Sequence, residues 1–338
     1  MKPNLALFRA GPNSLHPHAV ERLAEQNFDY ALSWFGDQPP AGADDAAFVH
    51  MQKGAKWPGL EQTLAAHWDT IQQYEYVWLP DDDLLCQPEL VSRMFAICHD
   101  LQLELAQPAL TRDSYFTHLM TMQHSEFQLR FTNFVEIMAP VLSIDMLARV
   151  YPTLKGNVSG YGLDNLWPRL TQLGKVAVID DTPVKHTRPV GGPNYKFNKE
   201  IGLTPSQEAR LVMARNFVET PADFQINFAG LLQNGDTLCL GSSTFEIDQL
   251  LGKLIASTNG LKLSPLYLTR YLGNHLAYWM GGIEHAGQSN YSRDLIRPLL
   301  NQALAGTGIV FRAAGPAKEA ASAATAATAA RQEARQPN

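Results

Sequence analysis

The sequence predicts an α/β fold with a mixed, mostly parallel sheet flanked by helices, followed by a helical C-terminal subdomain. Three observations predict it. Short apolar or aromatic runs at 5–8, 30–35, 74–79, 103–106, 131–138 and 176–179 read as buried strands. Segments with helical periodicity lie between them, the alternation expected of strands joined by crossover helices. Near residue 200 the texture changes, with Gly191-Gly192-Pro193 as a break and mainly helical sequence after it.

Each helix has its own reason. Leu60, Leu64, Trp68 and Ile71 recur at three or four residues, which puts them on one face of a first long helix. Leu90, Met94, Ile97 and Leu101 repeat the pattern, and Pro88 with Glu89 marks the start of that second helix. Ser143 is the expected N-cap of a third, with Asp145 favourably placed in its first turn. Beyond the break, Thr204-Pro205-Ser206-Gln207 and Ser243-Thr244-Phe245-Glu246 resemble capping boxes. Ile247, Leu250, Leu251 and Leu254 follow the second of these on one face. A last helix from Ser264-Pro265 carries Leu268, Tyr271, Leu272 and Trp279. The expected division is therefore 1–199 as the ligand-binding and catalytic domain, 200–312 as the helical subdomain, and 313–338 as an alanine-rich disordered tail with no apolar stripe to dock it.

Composition narrows the function classes. A hydrophobic content of 45% and a charged content of 18% describe an ordinary globular chain of 338 residues. A net charge of −6 argues against a nucleic-acid binder, which usually shows a basic face. Cys86, Cys98 and Cys239 show no metal-binding spacing and read as reduced structural cysteines. The start reaches Arg9 and Gly11-Pro12 before any apolar stretch suited to a signal peptide, and no run of about 18 apolar residues occurs. The expected location is the cytoplasm, with peripheral membrane contact left open.

The chemistry concentrates in a few segments. Tyr74–Leu79 runs straight into Pro80-Asp81-Asp82-Asp83. Ligands of open α/β sheets sit outside the carboxyl ends of strands, so these acids point to the crevice. Asp81 and Asp83 are candidate ligands of one hard divalent cation, Mn²⁺ or Mg²⁺, with Asp82 beside them as a donor contact. Three acids after a strand also suit a solvated turn or a helix cap. Residues 179–188 again pass from an apolar run to polar groups, offering His186 as a third metal ligand and Lys185 or Arg188 as phosphate partners. Gly160-Tyr161-Gly162-Leu163-Asp164 presents an acid after two glycines; Asp164 is the candidate general base, or an N-cap, or both. Glu136 is a single acid in an apolar run, and burial requires it to meet a partner, such as a core arginine, or to line the pocket. Arg9 and Ser14 follow the first strand on the same rim, where a base and ribose would bind. Lys56, before the first long helix, is within reach of a phosphate or simply solvated.

Five ordered segments resemble one known family. WLPDDD (78–83), QPAL (107–110), FVEIMAPVLS (134–143), GYGLDNLW (160–167) and IDDTPVKHTRP (179–189) look like the family catalogued as domain of unknown function 707, regarded as glycosyltransferase-like. Its plant members carry a tryptophan at the place of Tyr161. Through that family the chain is similar to metal-dependent glycosyltransferases of the GT-A fold, a Rossmann-like architecture. The resemblance implies a nucleoside-diphosphate sugar donor, and a cation held by Asp81, Asp83 and His186. Inverting members similar to the animal β-galactosyltransferases place the catalytic acid after a Gly-aromatic-Gly stretch, which matches Asp164. The expected reaction moves a sugar to an acceptor hydroxyl on a glycan or lipid-linked glycan. The same acids also suit a glycoside or phosphoester hydrolase, or a non-catalytic carbohydrate- or nucleotide-binding scaffold.

Overall fold

The computed structural model describes residues 1–21, 23–189, 199–216, 225–240, 244–258, 260–261, 263–281, 283–285, 289–291 and 293–313. The glycine-rich break at 191–193, the second capping box at Ser243 and nearly all of the alanine-rich tail lie outside them.

Strand β1 (Asn4–Ala10) is buried along its whole length. It pairs in parallel with β2 (Phe28–Trp34) on one side and with β4 (Tyr76–Trp78) on the other, and β3 (Val49–Met51) continues in parallel beyond β2. Past β4 the direction changes. β8 (Val141–Ser143) lies between β4 and β6 (Leu105–Leu110), antiparallel to both. β9 (Val176–His186) runs parallel to β6 and antiparallel to β7 (Phe127–Thr132). β10 (Asn227–Leu232) and β11 (Thr237–Cys239) extend that edge antiparallel, and β5 (Leu84–Leu85) pairs off the main path with the end of β9. The order is β11-β10-β7-β9-β6-β8-β4-β1-β2-β3. The sheet is thus mixed, with its parallel run at the β3-β2-β1-β4 end.

Period-2 alternation sends β1 into two cores. Ala6, Phe8 and Ala10 face one cluster with Val91, Met94, Phe95 and Cys98 of α3 (Pro88–Leu101). Leu5 and Leu7 face the other, with Trp57, Leu60 and Leu64 of α2 (Lys56–Ile71) and Met146 and Leu147 of α4 (Ile144–Val150). A strand covered on both faces carries apolar side chains at nearly every position, which explains the unbroken run at 5–8. A one-turn helix, α1 (His16–Ala19), follows β1. The start signals hold where predicted: Pro88 occupies the first turn of α3, and the Ser143 hydroxyl accepts the Met146 N–H at 3.2 Å.

Two predicted strands differ. The run at 131–138 leaves the ladder at Thr132, and 133–140 is a buried loop whose backbone groups bond elsewhere. The Glu136 N–H, for example, donates to Gln107 Oε1 at 2.6 Å. The strand expected at 176–179 runs on to His186, despite Pro183. A short helix, α5 (Leu163–Leu166), follows the double glycine.

Residues 200–312 hold α6 (Pro205–Arg215), with its Thr204–Gln207 capping box formed as predicted, and α7 (Thr244–Ser257), α8 (Pro265–Gly281) and α9 (Arg293–Ala303). They also contribute β10 and β11 to the main sheet, which a purely helical reading did not include, and a hairpin of β12 (Ile283–His285) and β13 (Ser289–Tyr291). Leu250, Leu254, Tyr271 and Leu300 pack into the same cluster as Phe127, Phe131 and Phe228. Cys86, Cys98 and Cys239 are buried and form no disulfide. No helix among the described residues is long and apolar enough to cross a membrane.

Candidate active site

The acidic triplet is fixed from both sides. Asp81 donates its backbone N–H to the Met138 carbonyl at 2.8 Å, tying the end of β4 to the loop that carries Glu136. Leu84 pairs with His186 where β5 meets β9. The Asp83 carbonyl accepts both the Thr187 N–H, at 3.1 Å, and the Thr187 hydroxyl, at 2.9 Å. These ladder contacts carry two segments a hundred residues apart to one point.

There His186 Nε2 stands 3.3 Å from Asp83 Oδ2. Its other nitrogen, Nδ1, is 2.8 Å from the Tyr115 carbonyl, so Nδ1 carries the proton and donates. Burial disfavours the imidazolium, but the Asp83 hydrogen bond and charge, the Tyr115 carbonyl and Asp81 outweigh it and raise the His186 pKa. Asp83 Oδ1 is buried with no hydrogen-bond partner. A ring held by Nδ1–H on a carbonyl, with Nε2 turned to a carboxylate, is the usual support of a metal-binding histidine. A buried carboxylate oxygen with no donor is what a cation relieves. Asp83 and His186 therefore fit a divalent ion as two ligands.

Asp81 fits less well. Its Oδ1 is 2.6 Å from Lys56 Nζ, which also donates to the carbonyls of Ile137, at 2.8 Å, and Met138, at 3.2 Å. Burial raises the Asp81 pKa, Lys56 opposes that rise, and the Asp83 charge adds to it. Among the described residues, no three His, Cys, Asp or Glu side chains converge closely enough to hold a metal.

Two further acids face this neighbourhood. Glu136 is buried, Oε2 has no partner, and its pKa is pushed up to about 8 by burial and then by the charge of Asp164. Asp81, Lys56 and His186 also lie close enough to act on it. The core arginine, Arg130, does not answer it, being bonded to Asp180 instead. Asp164 is the second residue of α5, with Gly162 at the N-cap, so it is not itself the cap. Its Oδ1 accepts the Asn165 N–H at 2.9 Å and the Asn165 side-chain amide at 3.1 Å. Burial raises its pKa to about 6 against those hydrogen bonds.

The glycines before Asp164 are there for space as well as conformation. Gly160 and Gly162 have φ of 86° and 93°. A Cβ at Gly160 would lie 2.1 Å from Trp57 Nε1, and one at Gly162 would lie 2.9 Å from the Ala209 Cα of α6.

The remaining candidates divide. Asp82 pairs with Arg188 at 3.2 Å, and burial, partly offset by Arg188, raises its pKa to about 6. Arg188 also donates to the Asn13 carbonyl at 2.5 Å, so the loop after β1 and the acidic triplet form one rim. Ser14 lies on that rim, but its hydroxyl contacts the His16 N–H and ring. Arg9 is buried beneath it, donating to Ser33, Gln52 and Gly54, which removes it from any base or ribose contact. Lys56 is likewise occupied by three acceptors and has no N–H left for a phosphate. Lys185 pairs with Asp113 at 2.5 Å. Because β9 continues through both residues, Lys185 and His186 point to opposite faces, and only His186 joins the site. Sequence reasoning missed the Tyr115 carbonyl, a backbone group with no side-chain signal, and Gln107, whose signal was a polar residue inside a buried strand.

A family model described as Protein of unknown function (DUF707) matches residues 38–225. No curated protein matches the chain. Among solved structures, the chain is similar to a putative nucleotide-diphospho-sugar transferase from Desulfovibrio desulfuricans, at 14% identity over 46% of this chain and 69% of that one, with a TM-score of 0.28. It is also similar to S. aureus TarS 1-349, at 11% identity over 82% and 80%, with a TM-score of 0.41. The same protein in complex with UDP-GlcNAc matches at 11% identity over 83% and 81%, with a TM-score of 0.40. Likenesses this distant carry no argument about the reaction.

Proposed function

The chain belongs to the protein family of unknown function DUF707, and on that premise we propose that it is a glycosyltransferase that moves a sugar from a nucleoside-diphosphate donor to an acceptor hydroxyl. The observation that carries this reading is the buried, partnerless Asp83 Oδ1 beside His186 Nε2, close to Glu136, on which the charges of both His186 and Asp164 act.

Asp83 and His186 would hold Mn²⁺ or Mg²⁺. Asp81, anchored by Lys56, fixes the loop geometry. Bound there, such an ion would supply neutralising charge for a departing diphosphate. Arg188, at the rim between Asn13 and Asp82, is placed to meet phosphate or ribose oxygens. Asp164 takes the proton from the acceptor hydroxyl. The acceptor oxygen forms its bond to the anomeric carbon as the carbon–oxygen bond to the diphosphate breaks, and the nucleoside diphosphate leaves with that electron pair. This one-step displacement inverts the anomeric centre. Glu136, protonated below about pH 8, donates a hydrogen bond to the bound sugar.

A specific observation favours a second reading. One carboxyl raised to about 8 beside another raised to about 6 is an acid–base pairing that also suits glycoside hydrolysis. A nucleotide requirement separates the two.

The test is a thermal-shift panel of nucleoside diphosphates and nucleotide sugars, each with and without Mn²⁺. A ligand at a hundred times its Kd stabilises the native state by about 2.7 kcal/mol. One base should therefore give a metal-dependent shift of several degrees, lost in Asp83→Asn and kept in Asp164→Asn. Turnover in Asp164→Asn should fall by about 10²–10⁴. No shift with any nucleotide would falsify the transferase reading.

A further inference from the structure

A cavity of about 250 Å³ lies between α8 and the loop 117–119. Tyr267, Arg270, Tyr271 and Asn274 line one side. Their spacing of three, four and seven residues puts all four on a single face of α8. His118 and Gln225 line the other side, joined to each other at 3.0 Å.

The cavity is built against the candidate active site. The Tyr267 hydroxyl donates to the Thr117 carbonyl and accepts the Leu119 N–H at 3.1 Å, clamping α8 to this loop. Two residues earlier in the same loop, the Tyr115 carbonyl fixes His186. The His118 ring lies 4.6 Å from the ring of Phe134, two residues before Glu136. The cavity wall thus belongs to the loop that fixes His186, and it packs against Phe134 in the loop that carries Glu136.

We infer that this cavity is the acceptor subsite, taking one pyranose ring of a hydroxyl-rich saccharide. The inference rests on the transferase reading for its role, though not for its ligand class. Two tyrosine rings offer flat apolar walls for the C–H face of a sugar. Gln225, Asn274 and Arg270 offer planar amide and guanidinium groups that hydrogen-bond adjacent hydroxyls. His118, held neutral at physiological pH by burial, adds a polar group without charge. A single arginine among neutral groups does not match a diphosphate, which separates this cavity from the donor site. Its volume falls just under the roughly 300–1,000 Å³ of pockets for drug-sized ligands, room for one ring and not for a nucleotide. The segment after 200 then has a function: α8 presents the acceptor.

The test uses the full chain and a panel of methyl pyranosides with their disaccharides, followed by saturation-transfer NMR and calorimetry with and without UDP and Mn²⁺. At least one glycoside should bind, and Asn274→Leu should weaken it about tenfold. Arg270→Ala, at an exposed position, should weaken the same glycoside and keep the parent's melting temperature. Neither variant should alter the metal-dependent nucleotide shift. If no glycoside binds, or if both variants bind it as tightly as the parent chain, the subsite is wrong. A missing nucleotide shift with variant-sensitive glycoside binding removes the transferase role and leaves the saccharide site standing; the reverse pattern removes the subsite alone.

Discussion

Glu136 sets the most direct prediction at the level of single residues. Its carboxyl is buried, one oxygen has no partner, and its pKa is raised to about 8 by burial and by Asp164. The folded-state value lies above the unfolded one, so the native state holds this proton more tightly. The resulting stability is complete below the ordinary glutamate range and is lost as pH rises through about 8. Glu136→Gln removes that loss. The variant should match the parent at pH 5 and exceed it at pH 9 by roughly 2–4 kcal/mol, read by thermal denaturation at the two pH values. Equal melting at pH 9 would mean that Glu136 finds a partner in solution. The acids themselves were legible, because a buried strand ending in three aspartates and an acid after two close glycines are local patterns. The cations were not. Arg9, Lys56 and Lys185 are each bonded to distant chain segments. For Lys185 the error had a local source: Pro183 argues against a continuing strand. With the strand ended at 179, the alternation that parts Lys185 from His186 could not be seen.

At the level of elements, the antiparallel half of the sheet is held by a buried ion pair. Arg130 of β7 meets Asp180 of β9 through Nε at 2.8 Å and Nη2 at 3.0 Å, and both side chains are fully inaccessible. The guanidinium also donates to the carbonyls of Met120 and Met122, and to Asn227 of β10 at 3.2 Å. Removing one partner leaves the other charge buried and unpaired. Arg130→Met should cost about 3–5 kcal/mol in urea unfolding. Replacing both partners, as Arg130→Met with Asp180→Leu, should recover much of that cost, and failure to recover would place the loss in the carbonyl contacts instead. The parallel β1–β4 region was readable because its strands announce themselves as continuous apolar runs. β10 is equally apolar, and Asn234-Gly235 after it is a hairpin signal; the turn that forms is a three-residue loop with Gly235 at φ 82°. Helical patterns on both sides of it dominate the stretch and mask it.

At the scale of the molecule, the sequence pattern divides the chain near residue 200, while the packing binds the two sides together. α6 supplies Glu208, which is buried and accepts the N–H groups of Val158, at 2.5 Å, and Ser159, at 2.9 Å. Those bonds hold the loop immediately before Gly160-Tyr161-Gly162, and the backbone of α6 at Ala209 fills the space that a side chain at Gly162 would need. The placement of Asp164 therefore depends on residues beyond 200. β10 covers β7, and Phe228 shares a cluster with Phe127 and Phe131. A fragment ending at residue 199 would expose that strand edge and those aromatic side chains together, a ready template for aggregation. Produced alone, it should lack a cooperative thermal transition, bind a hydrophobic dye and give no nucleotide shift, where the full chain melts cooperatively. A soluble fragment that melts sharply and still responds to a nucleotide would make 1–199 a self-sufficient unit. The clamp on the Asp164 loop by α6 would then be dispensable, and the part played by the C-terminal segment would shrink to the acceptor side.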